Sequence, residues 1–293
     1  MENGHPAVRH LRYLPPVGAA YGVEVLSFAA LRETDTERRR TRLQRPDFHV
    51  LALITGGSGA HEADFHHHEL HEGGVVWIRP GMVHRWSDVE RLEGPLILFQ
   101  PGFLPDPALE TRDIAAAPTC WRLPPETLRL AVPAADHLGH EHRAAVRCPR
   151  LASSALLSHL LAALLLRVLP RTSAPPGPGA SASRQSEVFR AYRAAVEEHF
   201  RHRHRVADYA RELGYDVRTL TRATRAATGH GAKTFLDQRI LLEAKRLLAH
   251  SGLPVGTCAH RLGFADAGNF TTFFRRQTGL APTSWAAALH RTP

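Results

Sequence analysis

The sequence predicts a multidomain α+β chain. A β-rich barrel or sandwich comes first, leucine-rich helices follow, and an all-α C-terminal domain with two helix-turn-helix units closes it. Three observations carry this reading. Short β-type runs alternate with Gly and Pro from about Tyr21 to Phe103. The pattern turns helical after about Pro107. Finally, "LGYDVRTLTRATRAATG" (Leu213–Gly229) is written again, with changes, as "LGFADAGNFTTFFRRQTG" (Leu262–Gly279).

The β region reads in order along the chain. "HVLALITGGSGAHEADF" gives strand, turn, strand; "GGVVWIRPGMVHRW" gives turn, strand, turn, strand; "GPLILFQPGF" closes the series. Many short strands with turn signals fit a barrel or sandwich. Next, "PPETLRLAVPAADHLGHEHRAAVR" reads as a broken helical stretch. "PRLASSALLSHLLAALLLRVLP" is a clearer helix whose leucines occupy more than one face, so burial on several sides is expected. It is too short for a membrane span, which needs about 20 apolar residues. "RTSAPPGPGASASR" has almost no apolar bulk and reads as a linker. The expected boundaries are therefore a barrel with its N-terminal arm over 1–106, a helical region over 107–170, a flexible linker over 171–186 and a helical domain over 187–293.

The repeat keeps its register through a whole unit. Val206, Ala210, Leu213 and Gly214 recur 49 residues later as Val255, Ala259, Leu262 and Gly263. One extra residue, Ala265, shifts the offset to 50, after which Asp216, Leu220 and Gly229 recur as Asp266, Phe270 and Gly279. In each unit a Gly ends a short helix, an Asp is placed to cap the next, and a second Gly stops it. This is a duplicated helix-turn-helix grammar. In the second helix of unit one, Arg218, Arg222 and Arg225, flanked by Thr221, lie opposite Leu220, Ala223 and Ala227 at 100° per residue. In unit two a Phe270, Phe273, Phe274 stripe leaves Gly268, Thr271, Thr272 and Arg275 facing away, with Asn269 and Arg276 at the flanks. Arg pairs bidentately with guanine, Asn with adenine, and Thr methyls touch thymine, so these residues are the expected contacts to double-stranded DNA.

Charge supports that assignment. The chain carries a formal +9, and residues 187–293 hold 17 Lys+Arg against 9 Asp+Glu, so the last third has nearly all of the excess. Such asymmetry fits a polyanionic partner. The three cysteines are scattered, as expected for reduced thiols in a cytosol, and no apolar signal core opens the chain. Between the units, "KTFLDQRILLEAKRLLAHSG" forms a helical stripe spanning roughly 27 Å, against about 34 Å for a turn of B-DNA. One chain can then present two recognition helices to successive major grooves.

"DQRILLEAKRLLAHSGLPVGTCAHRLGFADAGNFTTFFRRQTGLAPTSW" resembles the AraC/XylS-type transcription regulators. Arg239, Ala244, Leu247, Leu248, Ala259, Gly263, Phe264, Phe270, Phe274, Gly279 and Pro282 occupy the family's places; Trp285–Ala286 departs from its usual aromatic–Arg pair. The resemblance covers about 187–290. More loosely, "RPDFHVLALITGGSGAHEADF" and "GGVVWIRPGMVH" resemble the family's cupin-like effector-sensing barrel. It implies a small-molecule effector in the barrel, dimerisation through the helices after it, and a bacterial cytoplasmic, nucleoid-associated regulator that meets RNA polymerase. Effector contacts are expected at Arg45, His49, Trp77, Arg79 and His84, the polar or aromatic residues on or beside strands that should line the barrel.

Six histidines crowd into the segment from His61 to His84: His61, His66, His67, His68, His71 and His84. Imidazole is a common transition-metal ligand. Metal-binding cupins resemble the chain at Gly73, Gly81 and His84, but their earlier ligand strand is here represented only by His49. "HHHELHE" is expected in a solvated turn. No catalytic triad or phosphate loop stands out, so no catalytic residue, metal or cofactor is expected. The competing reading is a metal-dependent cupin enzyme carrying a DNA-binding tail.

Overall fold

The computed structural model describes residues 8–14, 21–34, 41–106, 109, 118–148, 150, 153–170 and 180–289. Two compact units divide the chain, Val8–Arg171 and Thr172–Pro293.

The first unit contains β1 (Arg9–Leu11), β2 (Val23–Ser27), α1 (Phe28–Thr34), β3 (Gln44–Pro46), β4 (His49–Leu53), β5 (Ser58–Ala63), β6 (His66–His71), β7 (Gly74–Ile78), β8 (His84–Asp88), β9 (Pro95–Phe99) and β10 (Cys120–Arg122). They form two five-stranded sheets, ordered β1-β3-β8-β5-β6 and β10-β7-β4-β9-β2. "HVLAL" and "GVVWI" are buried at every position because the second sheet is covered on both faces. Val50, Ala52, Ile54, Val76 and Ile78 meet Phe28, Met82, Trp86 and Leu70 in the barrel interior. Leu51, Leu53, Val75, Trp77, Ile97 and Phe99 pack outward against helices α2 (Pro125–Arg147) and α3 (Ser154–Val168).

Three local expectations change. "HHHELH" is not a turn: His66–His71 is strand β6, paired residue for residue with β5. Its hairpin is closed by Asp64 and Phe65, both at positive φ (45° and 72°). The first-choice turn sequence for that geometry is Asn-Gly, which is why the strand went unread. α2 is continuous through Pro133, which lies exposed, where the carbonyl one turn earlier can be hydrated. On α3, Leu157, Leu161, Leu164 and Leu165 are buried, but Leu156 and Leu166 are exposed rather than covered. Ser153 caps α3 by accepting from the Leu156 amide at 3.1 Å, and the Trp121 indole donates to the Val168 carbonyl at 2.8 Å.

The second unit is helical: α4 (Ala180–His199), α5 (Val206–Glu212), α6 (Val217–Thr228), α7 (Ala232–His250), α8 (Val255–Arg261), α9 (Ala267–Thr278) and α10 (Pro282–Leu289). Residues 180–186 of the expected linker belong to α4, and 171–179 lie outside the described residues. The duplication extends to single hydrogen bonds. Asp216 caps α6 through the Thr219 amide at 2.6 Å, and Asp266 caps α9 through the Asn269 amide at 2.7 Å. Gly229 and Gly279 end these helices in the left-handed conformation, at φ 77° and 78°. Thr228 and Thr278 each donate a hydroxyl to the carbonyl four residues back, at 2.8 and 2.9 Å. One core joins both helix-turn-helix repeats, with Leu220, Ala223, Leu236, Ile240, Ala244, Phe270 and Phe274 in it.

The two turn glycines are not equivalent. Gly214 and Gly263 share a positive φ, 70° and 72°. A Cβ on Gly214 would meet nothing within 4 Å, whereas one on Gly263 would lie 2.3 Å from the Arg201 carbonyl oxygen. Gly214→Ala should therefore cost only the conformational penalty of about 1–2 kcal/mol. Gly263→Ala should cost more, because backbone has to move. Urea titration of the two variants, followed by circular dichroism, is expected to show a clearly lower midpoint for Gly263→Ala.

Candidate DNA interface and ligand barrel

In the helical unit, α6 and α9 are positioned by their buried stripes, Leu220, Ala223 and Thr224 on one and Phe270, Phe273 and Phe274 on the other. Thr224 joins the core by donating its hydroxyl to the Leu220 carbonyl at 2.7 Å. Ala227, expected on that core face, is exposed instead, because the last turn of α6 runs past the core. On the outer faces Arg218, Arg222 and Arg225 are exposed and Thr221 is half-buried; Gly268, Asn269, Thr272, Arg275 and Arg276 are exposed and Thr271 is half-buried. Among the described residues, Arg218, Arg225 and Arg275 have no carboxylate partner, so their donors are open to an anion.

Two members of the set are engaged within the protein. The Asn269 amide group donates to Asp266 Oδ2 at 2.9 Å. The Arg276 guanidinium lies 3.7 Å from Asp237 Oδ2 and over the Phe273 ring at 5.9 Å. The Asp216 carboxyl is held below its ordinary range by the Thr219 amide and then the Thr219 hydroxyl, so the α6 cap stays ionised. Neither Asp237 nor the ion cluster around Glu243 was singled out from sequence, since a buried carboxylate on an amphipathic helix reads like a solvated one.

The barrel places the five expected effector residues in three different settings. His84 lies in the interior, fully buried. His49 and Trp77 do not line it. They face α2 and α3, where His49 stacks on Phe99 at 4.6 Å and its Nδ1 accepts from the Trp77 indole at 3.3 Å. Strand alternation explains this: His49 shares a face with Leu51, and Trp77 with Val75, on the side opposite the interior. Arg45 and Arg79 are half-buried; Arg79 donates to the Pro118 carbonyl at 3.5 Å.

The interior polar feature is a histidine pair that sequence reasoning half missed. His61 Nε2 and His84 Nδ1 lie 3.1 Å apart, and Trp86 packs on both rings, at 4.5 and 6.3 Å. His61 Nδ1 and His84 Nε2 are buried without a hydrogen-bond partner. A hydrogen-bonded pair of neutral imidazoles leaves one free donor and one free acceptor, whichever tautomer each ring adopts. Burial pushes both rings below the ordinary histidine range, His84 to about 4. The period-two alternation with Ala63 was the available signal for His61. His68 stands directly opposite His61 on β6. Among the described residues no three His, Cys, Asp or Glu side chains are grouped to hold a metal ion.

A cleft of about 330 Å³ opens beside this sheet, lined by His67, His68, His71, Cys120, Trp121 and Arg122 among others. Burial raises the Cys120 thiol to about 12, so it presents a neutral S–H.

Comparison with known proteins fits both halves. An AraC-like ligand binding domain matches residues 25–189, and a helix-turn-helix domain matches residues 209–288. The chain belongs to the AraC family. It is a DNA-binding transcription regulator that carries a ligand-binding barrel. Similar curated proteins include the HTH-type transcriptional activator RhaS of Salmonella paratyphi A, 26% identical over 245 residues, which span 80% of this chain and 84% of that one. RhaS of Citrobacter koseri is 25% identical over the same shares. Among solved structures, ToxT from Vibrio cholerae O395 aligns at 12% identity over 85% of this chain and 92% of its own, with a TM-score of 0.38.

The histidine pair makes barrel stability depend on pH. Both folded pKa values lie below the ordinary 6.5, so the unfolded chain binds protons that the folded barrel refuses. Stability is thus fully present above about pH 6.5 and falls as pH drops toward 4, by up to about 1.4 kcal/mol per pH unit for each imidazole. Melting temperatures recorded between pH 7 and pH 4.5 should fall with acid, and a His61→Leu/His84→Leu double variant should flatten that slope.

Proposed function

We propose that this AraC-family chain is a bacterial cytoplasmic, homodimeric activator that grips two successive major grooves through α6 and α9 and answers to a small polar effector held in the barrel. The observation that carries the reading is the duplicated, Asp-capped helix pair whose outer faces expose Arg218, Arg222, Arg225 and Arg275, of which Arg218, Arg225 and Arg275 have no carboxylate partner among the described residues. Thr221 and Gly268, Asn269, Thr271, Thr272 and Arg276 complete the contact set. Activation is supported by the activator names of the RhaS relatives, and it makes RNA polymerase the expected second partner at the promoter.

Dimerisation is supported by the apolar residues that α3 leaves in solvent, Leu156 and Leu166, 43% and 61% exposed. Two DNA-binding units held in one dimer gain effective concentration on paired sites. For the effector, the free donor and acceptor of His61 and His84 suit a hydroxyl, amide or acid group, and Trp86 offers it an aromatic wall. A regulator needs that ligand to favour one arrangement of the dimer over another. The role is regulation rather than catalysis.

The deciding experiment is a footprinting titration on the DNA upstream of this protein's gene and its neighbours, at several salt concentrations. A discrete protected site with close half-sites on one face of the duplex is expected; uniform, salt-labile coverage would indicate a DNA-coating protein instead. On the protected site, Arg222→Ala or Thr272→Ala should cost about 1–3 kcal/mol and relax base preference locally. An equal, small loss on every duplex would reassign the residue to phosphate.

A further inference from the structure

α7 carries a buried carboxylate that the DNA reading does not use. Asp237 is 6% exposed. Its Oδ1 accepts from Lys233 Nζ at 2.6 Å, and the same ammonium donates to the His204 carbonyl at 3.2 Å, in the loop between α4 and α5. Its Oδ2 faces α9, accepting from Gln277 Nε2 at 3.4 Å with Arg276 Nη2 at 3.7 Å. One side chain thus ties the start of the connecting helix to the entry of the first helix-turn-helix unit and to the last turn of the second recognition helix.

The geometry points to Asp237 as a positioning residue that fixes the angle of α9 on α7, and so the half-site spacing this chain accepts. The inference rests on the two-groove reading above. Apolar contacts can slide; a buried carboxylate has two oxygens with fixed directions, and leaving either without a donor is costly. Lys233 satisfies Oδ1 from α7 itself, but Oδ2 depends on α9 presenting Gln277, with the Arg276 charge beside it. Arg276 gains as well: its guanidinium spends one edge on Asp237 and, being 63% exposed, keeps other N–H donors for a phosphate. Inserting one base pair between half-sites moves one of them by about 3.4 Å and turns it by about 35°, which a rigid α7–α9 joint cannot follow.

The test uses the full-length chain and duplexes selected by it from a randomised library. Each selected duplex is also made with one base pair added or removed between half-sites, and as a single half-site. Wild type is expected to lose about tenfold or more on the respaced duplexes. Asp237→Asn should bring that ratio below about threefold, mainly by losing affinity on the selected spacing, while single half-site binding holds within about twofold. Gln277→Leu, which leaves the Lys233 pair intact, should relax spacing in the same direction and guards against a variant that fails to fold. Retained wild-type discrimination in both variants overturns the proposal. So does an equal loss on every duplex including the single half-site, which is what a purely structural residue would give. A wild type that is indifferent to spacing overturns the two-groove reading itself, and the proposal falls with it.

Discussion

The DNA-binding unit depends on one buried carboxylate, Glu243, near the middle of α7. It is 2% exposed, and burying a lone carboxylate costs several kcal/mol. Arg246 Nη1 at 3.2 Å and Arg201 Nη2 at 3.1 Å offset that cost, and Arg239 stands 3.6 Å away. Arg239 is itself fixed by both oxygens of Glu197 on α4 and by the face of Phe200, 3.8 Å from its guanidinium carbon. Arg201 then does two things at once. Its guanidinium holds Glu243, and its carbonyl lies where any side chain at position 263 would need to be. The chain of contact from α7 through Arg201 to Gly263 places the turn of the second unit, and the His204 ring against Phe264 at 4.6 Å closes it from the other side.

This explains why a duplicated motif yields two unequal halves. Both copies keep the cap, the left-handed stop and the threonine back-bond, because each is satisfied within a dozen residues. The copies differ where they meet other elements. Gly214 turns in open space and Gly263 against backbone. α6 covers its stripe with Leu220, Ala223 and Thr224, whereas α9 uses three phenylalanines, reached by Phe264 at 5.2–5.3 Å and by Trp285 at 5.7 Å. The outer faces follow suit: arginine-rich on α6, mixed on α9.

The barrel carries the opposite economy. Its interior holds the His61–His84 pair, which keeps two ring nitrogens unsatisfied at a cost of about 1–3 kcal/mol each. A fold selected for stability alone would place leucine there. Such a pair beside Trp86 is the feature on which the proposed effector site rests. β6, with its run of imidazoles at the sheet edge, also serves the barrel by presenting ionisable side chains where an apolar edge strand would invite pairing with another chain.

The sequence by itself determined what local chemistry encodes. The succession of a β-rich region and helices, both Asp caps, the glycine stops and the outward arginines of α6 follow from spacing along ten to fifteen residues, and the duplication from a register kept at 49–50 residues. Tertiary structure decided what spacing leaves degenerate. "HVLAL" and "GVVWI" are apolar throughout, so nothing in them says which face meets the barrel and which the helices; His49 and Trp77 were placed on the wrong side for that reason. Pro133 reads as a break until its exposed position is known. The Asp64–Phe65 hairpin lacks a turn signature, which hid β6. And no periodicity tells a buried carboxylate from a solvated one: Asp237 and Glu243 became visible only when distant residues, Gln277 and Arg201, were seen to reach them.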